Sequence, residues 1–172
     1  MENVILVNEW DEEIGQMEKL EAHRQGKLHR AFSILVYNSK GEMLLQRRAF
    51  GKYHSGGLWT NACCSHPKPN EETALAAKRR LKEEMGIGSN PVFVYKFIYK
   101  ATLDNGLTEH EYDHVFTCST DEPPILNPNE ADDYKYIGIG ALMVDIRQHP
   151  ETYTTWFKII MERFNDQLQS TQ

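Results

Sequence analysis

Residues 65–87 run Ser65-His66-Pro67-Lys68-Pro69-Asn70-Glu71-Glu72-Thr73-Ala74-Leu75-Ala76-Ala77-Lys78-Arg79-Arg80-Leu81-Lys82-Glu83-Glu84-Met85-Gly86-Ile87, and their pattern decides the fold. The two prolines interrupt regular structure, Asn70 suits an N-cap, and Glu71 and Glu72 suit the positive end of a helix dipole. The segment predicts a helix over about 70–85 with an apolar stripe of Ala74, Ala77, Leu81 and Met85. Arg80 and Glu84 lie one turn apart on a neighbouring face, and Gly86 is placed to end the helix. Just upstream, Thr60-Asn61-Ala62-Cys63-Cys64 sets a thiol two residues before His66. That pairing serves catalysis, metal binding or both.

Composition bounds the function. The 172 residues suffice for one domain with a real core. A hydrophobic share of 40%, a charged share of 26% and a mean hydropathy of −0.59 describe a soluble globular chain. Three cysteines, two of them adjacent, make a poor disulfide framework, so free thiols in a reducing compartment are expected. The net charge of −6 argues against nucleic acid as a partner. Bases nevertheless gather at Arg47, Arg48 and Lys52, and again at Lys78, Arg79, Arg80 and Lys82, which suits a small anion such as phosphate. The chain opens with an acid where a signal peptide wants a base, and no run approaches the ~20 apolar residues of a membrane span. A cytoplasmic protein without membrane contact is expected.

Along the chain, Val4–Val7 predicts a strand, Asn8–Gly15 a polar turn, and 16–25 a short helix or irregular piece. Ala31–Tyr37 and Glu42–Gln46 form a hairpin about Asn38-Ser39-Lys40-Gly41. Leu58–Ala62 is a short strand, Val92–Tyr99 and Tyr112–Cys118 are strands around the turn at Asp104-Asn105-Gly106, and 121–129 is an extended proline-rich loop. A last strand over 135–139, a short helix over 142–148 and a longer amphipathic helix over about 153–168 complete an α+β, α/β/α sandwich.

Glu71, Arg79, Glu83, Glu84, Gly86 and Ile87 resemble the box of the Nudix family. Ser65 stands where that family usually has glycine, and Arg80 where it usually has a metal-binding glutamate. A guanidinium cannot coordinate a cation, so the hydrolytic multi-metal site is weakened. Leu28-His29-Arg30-Ala31-Phe32-Ser33, Trp59-Thr60-Asn61 through Pro67, and Thr108-Glu109-His110-Glu111 are similar to the type I isopentenyl-diphosphate isomerases, over nearly the whole chain.

This resemblance implies a reaction in which a proton is added to one carbon of a five-carbon diphosphate and another removed from its neighbour. Cys64 and Glu111 would be the acid–base pair, with Tyr99 assisting. His23, His29, His66, Glu109 and Glu111 would hold one divalent cation, Mn²⁺ or Zn²⁺, and Glu84 a Mg²⁺ shared with the diphosphate. Lys19, Arg48, Lys52 and Arg80 would grip the diphosphate, and the Trp156 indole would stabilise a carbocation. Plainer readings stand beside these: Arg80–Glu84 as a helix-surface ion pair worth roughly 0.2–0.5 kcal/mol, Trp156 as core packing, and Cys63 and Cys118 as inert buried thiols. His54, His110, His114 and His149 are expected to be surface or packing residues. The rival functions are a Nudix diphosphohydrolase and a non-catalytic metal-binding module. A monomer or weak dimer is expected.

Overall fold

The computed structural model describes residues 2–170. Its strands are β1 (Asn3–Val7), β2 (Glu13–Glu18), β3 (His29–Tyr37), β4 (Glu42–Arg48), β5 (Trp59–Asn61), β6 (Cys63–Ser65), β7 (Val92–Thr102), β8 (Thr108–Ser119) and β9 (Ala131–Gly138). The helices are α1 (Lys19–Gln25), α2 (Thr73–Met85), α3 (Ile139–Gln148) and α4 (Thr155–Ser170). Among the described residues these strands join one mixed sheet organised about β3, which pairs antiparallel with β1, β4 and β6 and parallel with β8.

Strand β3 is covered on both faces, and its sequence, His-Arg-Ala-Phe-Ser-Ile-Leu-Val-Tyr, is apolar at most positions for that reason. Its even-numbered residues Phe32, Ile34 and Val36 pack with Phe116 of β8 and Leu44 of β4 against Ala76, Ala77, Leu81 and Met85 of α2. On the opposite face Leu35, Met43, Leu45, Phe97 and Val115 meet Leu142 of α3 and Trp156, Phe157 and Ile160 of α4. The expected sandwich is therefore present: α2 covers one face, and α3 and α4, with Leu20 of α1, the other.

Several local expectations need correction. Asn70 does not cap α2. It sits two residues upstream with a φ of 63°, in a turn, and Glu72 occupies the cap position without a side-chain bond. Glu71 does not serve the helix dipole either: it accepts the Lys68 backbone N–H at 2.8 Å and a two-pronged bond from Arg79 at 2.7 and 2.8 Å, tying the loop to the helix. Ala74 is only partly covered, and Ala76 takes the place in the apolar face expected for it. The expected polar turn over 8–15 ends early, because residues 13–18 form β2 and α1 starts only at Lys19. Cys63–Ser65 forms a strand of its own on β3, next to β5, which pairs with β4.

Gly86 fulfils its expected part. With φ at 70° it donates its N–H to the Lys82 carbonyl at 3.0 Å. A Cβ there would meet Ile125 O at 2.9 Å and Ile125 N at 3.1 Å, backbone atoms that α2's own end anchors through Ile125 N–H to Met85 O. Gly86→Ala is expected to cost at least ~1–2 kcal/mol, the left-handed penalty for a residue with a Cβ, before the contact with Ile125 is counted. An unchanged urea midpoint would refute this account of the position.

Candidate active site

Three adjacent strands, β6, β3 and β8, build the floor of the site. Register sets His29 beside Glu111 and Ser33 beside Cys64, and the two-residue alternation of β8 turns Glu109, Glu111 and Asp113 to the face that carries α4. Cys64 and Glu111 thus line one cavity from strands on either side of β3. The same alternation separates the adjacent thiols: Cys63 is fully buried toward α2, whereas Cys64 faces the cavity.

Helix α1 and the start of β3 bring the histidines in. The His23 ring is centred 4.9 Å from that of His29, and His29 is 5.0 Å from His66. His23 Nδ1 lies 2.7 Å from the Lys19 carbonyl and His29 Nδ1 2.8 Å from the Lys27 carbonyl. A carbonyl only accepts, so each Nδ1 carries a hydrogen, which leaves Nε2 as the ring atom turned to the cluster. Both Nε2 atoms are buried without a hydrogen-bond partner. Ligand atoms of His23, His29, His66 and Glu111 fall within 4.8 Å of one another, and those of His23, His54 and Glu109 do likewise. The donor set fits a divalent cation: two imidazoles anchored through Nδ1–H on backbone carbonyls, which leaves Nε2 for an ion, plus buried carboxylate. Of the five expected ligands, four share one cluster, and Glu109 joins it through His23.

Tyr99 Oη stands 2.7 Å from Glu111 Oε2 and 3.0 Å from Glu109 Oε2. Burial raises the pKa of both carboxyls, but the His29 and His66 rings more than offset it at Glu111 and hold that group well below the usual range. Glu109, buried and facing the Glu111 charge, is pushed well above it. His66, whose Nε2 is 3.0 Å from Glu111 Oε1, is drawn down by burial to about 4. Opposite these, the Cys64 thiol is pushed up by burial and by the Asp113 charge. Asp113 is itself raised to about 8, by burial first and Glu111 second.

The bases stand along the cavity's mouth. Lys52 donates to Glu130 Oε2 at 2.7 Å, and Arg80 Nη2 to Glu130 Oε1 at 3.0 Å and to Glu84 Oε1 at 2.7 Å. Lys19 pairs with Glu2 at 2.9 Å. Arg48 lies 5.1 Å over the Trp156 ring. The Arg80–Glu84 pair exists, yet it is not a surface pair: Glu84 is 4% exposed, and Gln46 donates to its other oxygen at 2.9 Å. Trp156 packs in the α4 core, as its plainer reading expects, and its ring also lines the cavity.

Residues 27–157 match the NUDIX domain family. An "Isopentenyl-diphosphate Delta-isomerase 2" of Aromatoleum aromaticum is 52% identical over 94% of this chain and 86% of its own length. The chain belongs to the isopentenyl-diphosphate Delta-isomerase family. A further isomerase of that name, from Pectobacterium atrosepticum, is 47% identical over 97% of this chain and 93% of the relative. Among solved structures, the Deinococcus radiodurans protein DR0079 superposes with a TM-score of 0.79 at 20% identity, over 94% of this chain and 98% of its own. The MutT protein of Methanosarcina mazei gives 0.67 at 22%, over 81% and 94%. These last two likenesses concern the fold alone.

The isomerase site also contains groups that sequence reasoning missed. His54, expected to be a surface or packing residue, is 4% exposed, lines the cavity and meets the Trp156 ring edge-on at 5.7 Å. Its basicity is pushed down to about 3 by burial and by Arg48. Glu130, just past the proline-rich loop over 121–129, carried no signal; only the β4–β9 pairing, which sets Arg48 beside Ala131, delivers it to Lys52 and Arg80. His114 likewise has a partner, Asp11, at 2.8 Å. Among the described residues no helix is long and apolar enough to cross a membrane.

Proposed function

We propose that this isomerase interconverts isopentenyl and dimethylallyl diphosphate, with Cys64 and Glu111 moving the two protons. The observation that carries the assignment is their common cavity, approached from strands flanking β3. One group adds a proton to the terminal methylene, leaving a tertiary carbocation; the other takes a proton from the neighbouring CH₂, whose C–H electrons become the new double bond. Tyr99, in contact with Glu109 and Glu111, passes a proton between carboxylates or returns one to Glu111. Trp156 offers the cation an indole face that stabilises without attacking, a contact worth ~2 kcal/mol or more when desolvated.

Lys19, Arg48, Lys52 and Arg80 hold the diphosphate and so pin the reacting carbons between acid and base. Glu84 would help to hold a Mg²⁺, whose charge would offset that of the diphosphate. His23, His29, His66, Glu109 and Glu111 hold a second divalent cation, Mn²⁺ or Zn²⁺, which supplies positive charge that stabilises the ionised Glu111. The reaction belongs to isoprenoid biosynthesis, in a cytoplasmic monomer or weak dimer that binds neither nucleic acid nor membrane. The hydrolase reading is disfavoured because the Arg80 guanidinium bonds Glu84 Oε1 from the position where a hydrolytic carboxylate would stand.

Incubating the purified protein with isopentenyl diphosphate in D₂O should yield deuterated dimethylallyl diphosphate when Mg²⁺ is present and none after chelation. Release of inorganic phosphate or pyrophosphate without deuterium entering the carbon chain would overturn the assignment.

A further inference from the structure

Asn61 is fully buried, and its amide is locked in one orientation by its surroundings. Its Nδ2 donates to the Ile34 carbonyl at 3.1 Å and to the Cys63 carbonyl at 2.9 Å. Both partners can only accept, so the amide cannot flip without placing oxygen against oxygen. The Oδ1 atom therefore faces the other way, where it accepts from Cys64 Sγ at 3.0 Å and from Thr60 Oγ1 at 3.0 Å. Thr60 is fixed in turn, since its hydroxyl accepts from Thr154 Oγ1 at 3.1 Å. On the sulfur's other flank, Ser33 Oγ lies 3.4 Å from Cys64 Sγ and 2.8 Å from Asp113 Oδ2, and its rotatable hydroxyl can serve either neighbour. The Asn61 oxygen is thus the neighbour of the sulfur whose acceptor role is fixed by its own surroundings.

We propose that Asn61 is a positioning residue for Cys64: its locked amide oxygen captures the thiol hydrogen and keeps the sulfur in the rotamer that faces the cavity. Cys64 has one rotatable bond to its sulfur and lies on a three-residue strand, so a single directional bond decides where the sulfur points. Asn61 does not line the cavity. It acts through the thiol, and it acts on turnover, because the diphosphate is gripped by bases elsewhere in the cavity.

The proposal rests on Cys64 being a proton-transferring group, and two separate readouts keep the ideas apart. Full turnover by Cys64→Ala would remove the underlying reading. The positioning claim is read from the Cys64 S–H stretching band, isolated by subtracting the Raman spectrum of Cys64→Ala. In the unsubstituted protein that band should lie below the frequency of an unbonded thiol. In Asn61→Ala it should move up toward that frequency, while kcat falls roughly tenfold to hundredfold, the scale on which a small misplacement of a reacting group acts. KM should stay within about threefold, and bound metal should be unchanged. Asn61→Ser, which can still bond one of the two carbonyls, carries the same test if the alanine variant does not fold. An unbonded frequency in the unsubstituted protein overturns the proposal whatever the variants do, and so does an unmoved band or a loss confined to KM.

Discussion

Cys64→Ala is expected to lower turnover by at least ~10³-fold, within the range that a positioned acid or base contributes, while secondary structure and metal content stay as they are. The side chain faces the cavity, and the Asn61 oxygen would retain its bond from Thr60, so removing the sulfur orphans no buried group. Cys63→Ala provides the contrast. That thiol lies on the opposite sheet face among Ala76, Leu81 and Met85, so its removal should cost on the order of 1 kcal/mol in stability and leave turnover near normal. Measuring both variants by product formation and thermal unfolding separates chemistry from packing. Turnover of Cys64→Ala within tenfold of the parent would eliminate the thiol from the reaction.

Glu111→Gln should be as damaging for a different reason. The carboxylate belongs to two arrangements at once, the hydrogen bond from Tyr99 and the four-residue cluster with His23, His29 and His66. An amide of the same shape removes the charge from both. Loss of turnover by ~10³-fold or more is expected, together with loss of bound divalent ion. The second effect has its own readout: an ion at a hundred times its dissociation constant stabilises a folded protein by about 2.7 kcal/mol. Chelation should therefore lower the melting temperature of the parent protein and barely move that of the variant. Stoichiometric metal retained by Glu111→Gln would detach Glu111 from the cluster.

The box helix and the β3–β4 hairpin were legible because each obeys a short-range rule: apolar spacing in one, a polar turn following a β-branched and aromatic run in the other. The helix end at Gly86 was readable for the same reason. Its start was not, because Asn70 has a capping side chain but the prolines hold it in a separate turn, and Glu71 is drawn away by Arg79. The site residues at His29, Cys64, His66 and Glu111 were reached by resemblance, since nothing local relates segments that meet only through strand register. Glu130, His54, Ser33 and Asp113 stayed invisible on the same ground. They become neighbours of the expected groups only after β9 has added to β4 and β8 has added to β3.

That last pairing has a kinetic corollary. Ser33 and Asp113, hydrogen-bonded under the thiol, are 80 residues apart in the chain, and the parallel β3–β8 ladder that joins them closes a loop containing β4, β5, β6, α2 and β7. Closing so distant a contact is slow and is rewarded only late. The two sides of the cavity come together only when that loop closes, so recovery of activity after dilution from denaturant should trail the return of helical signal.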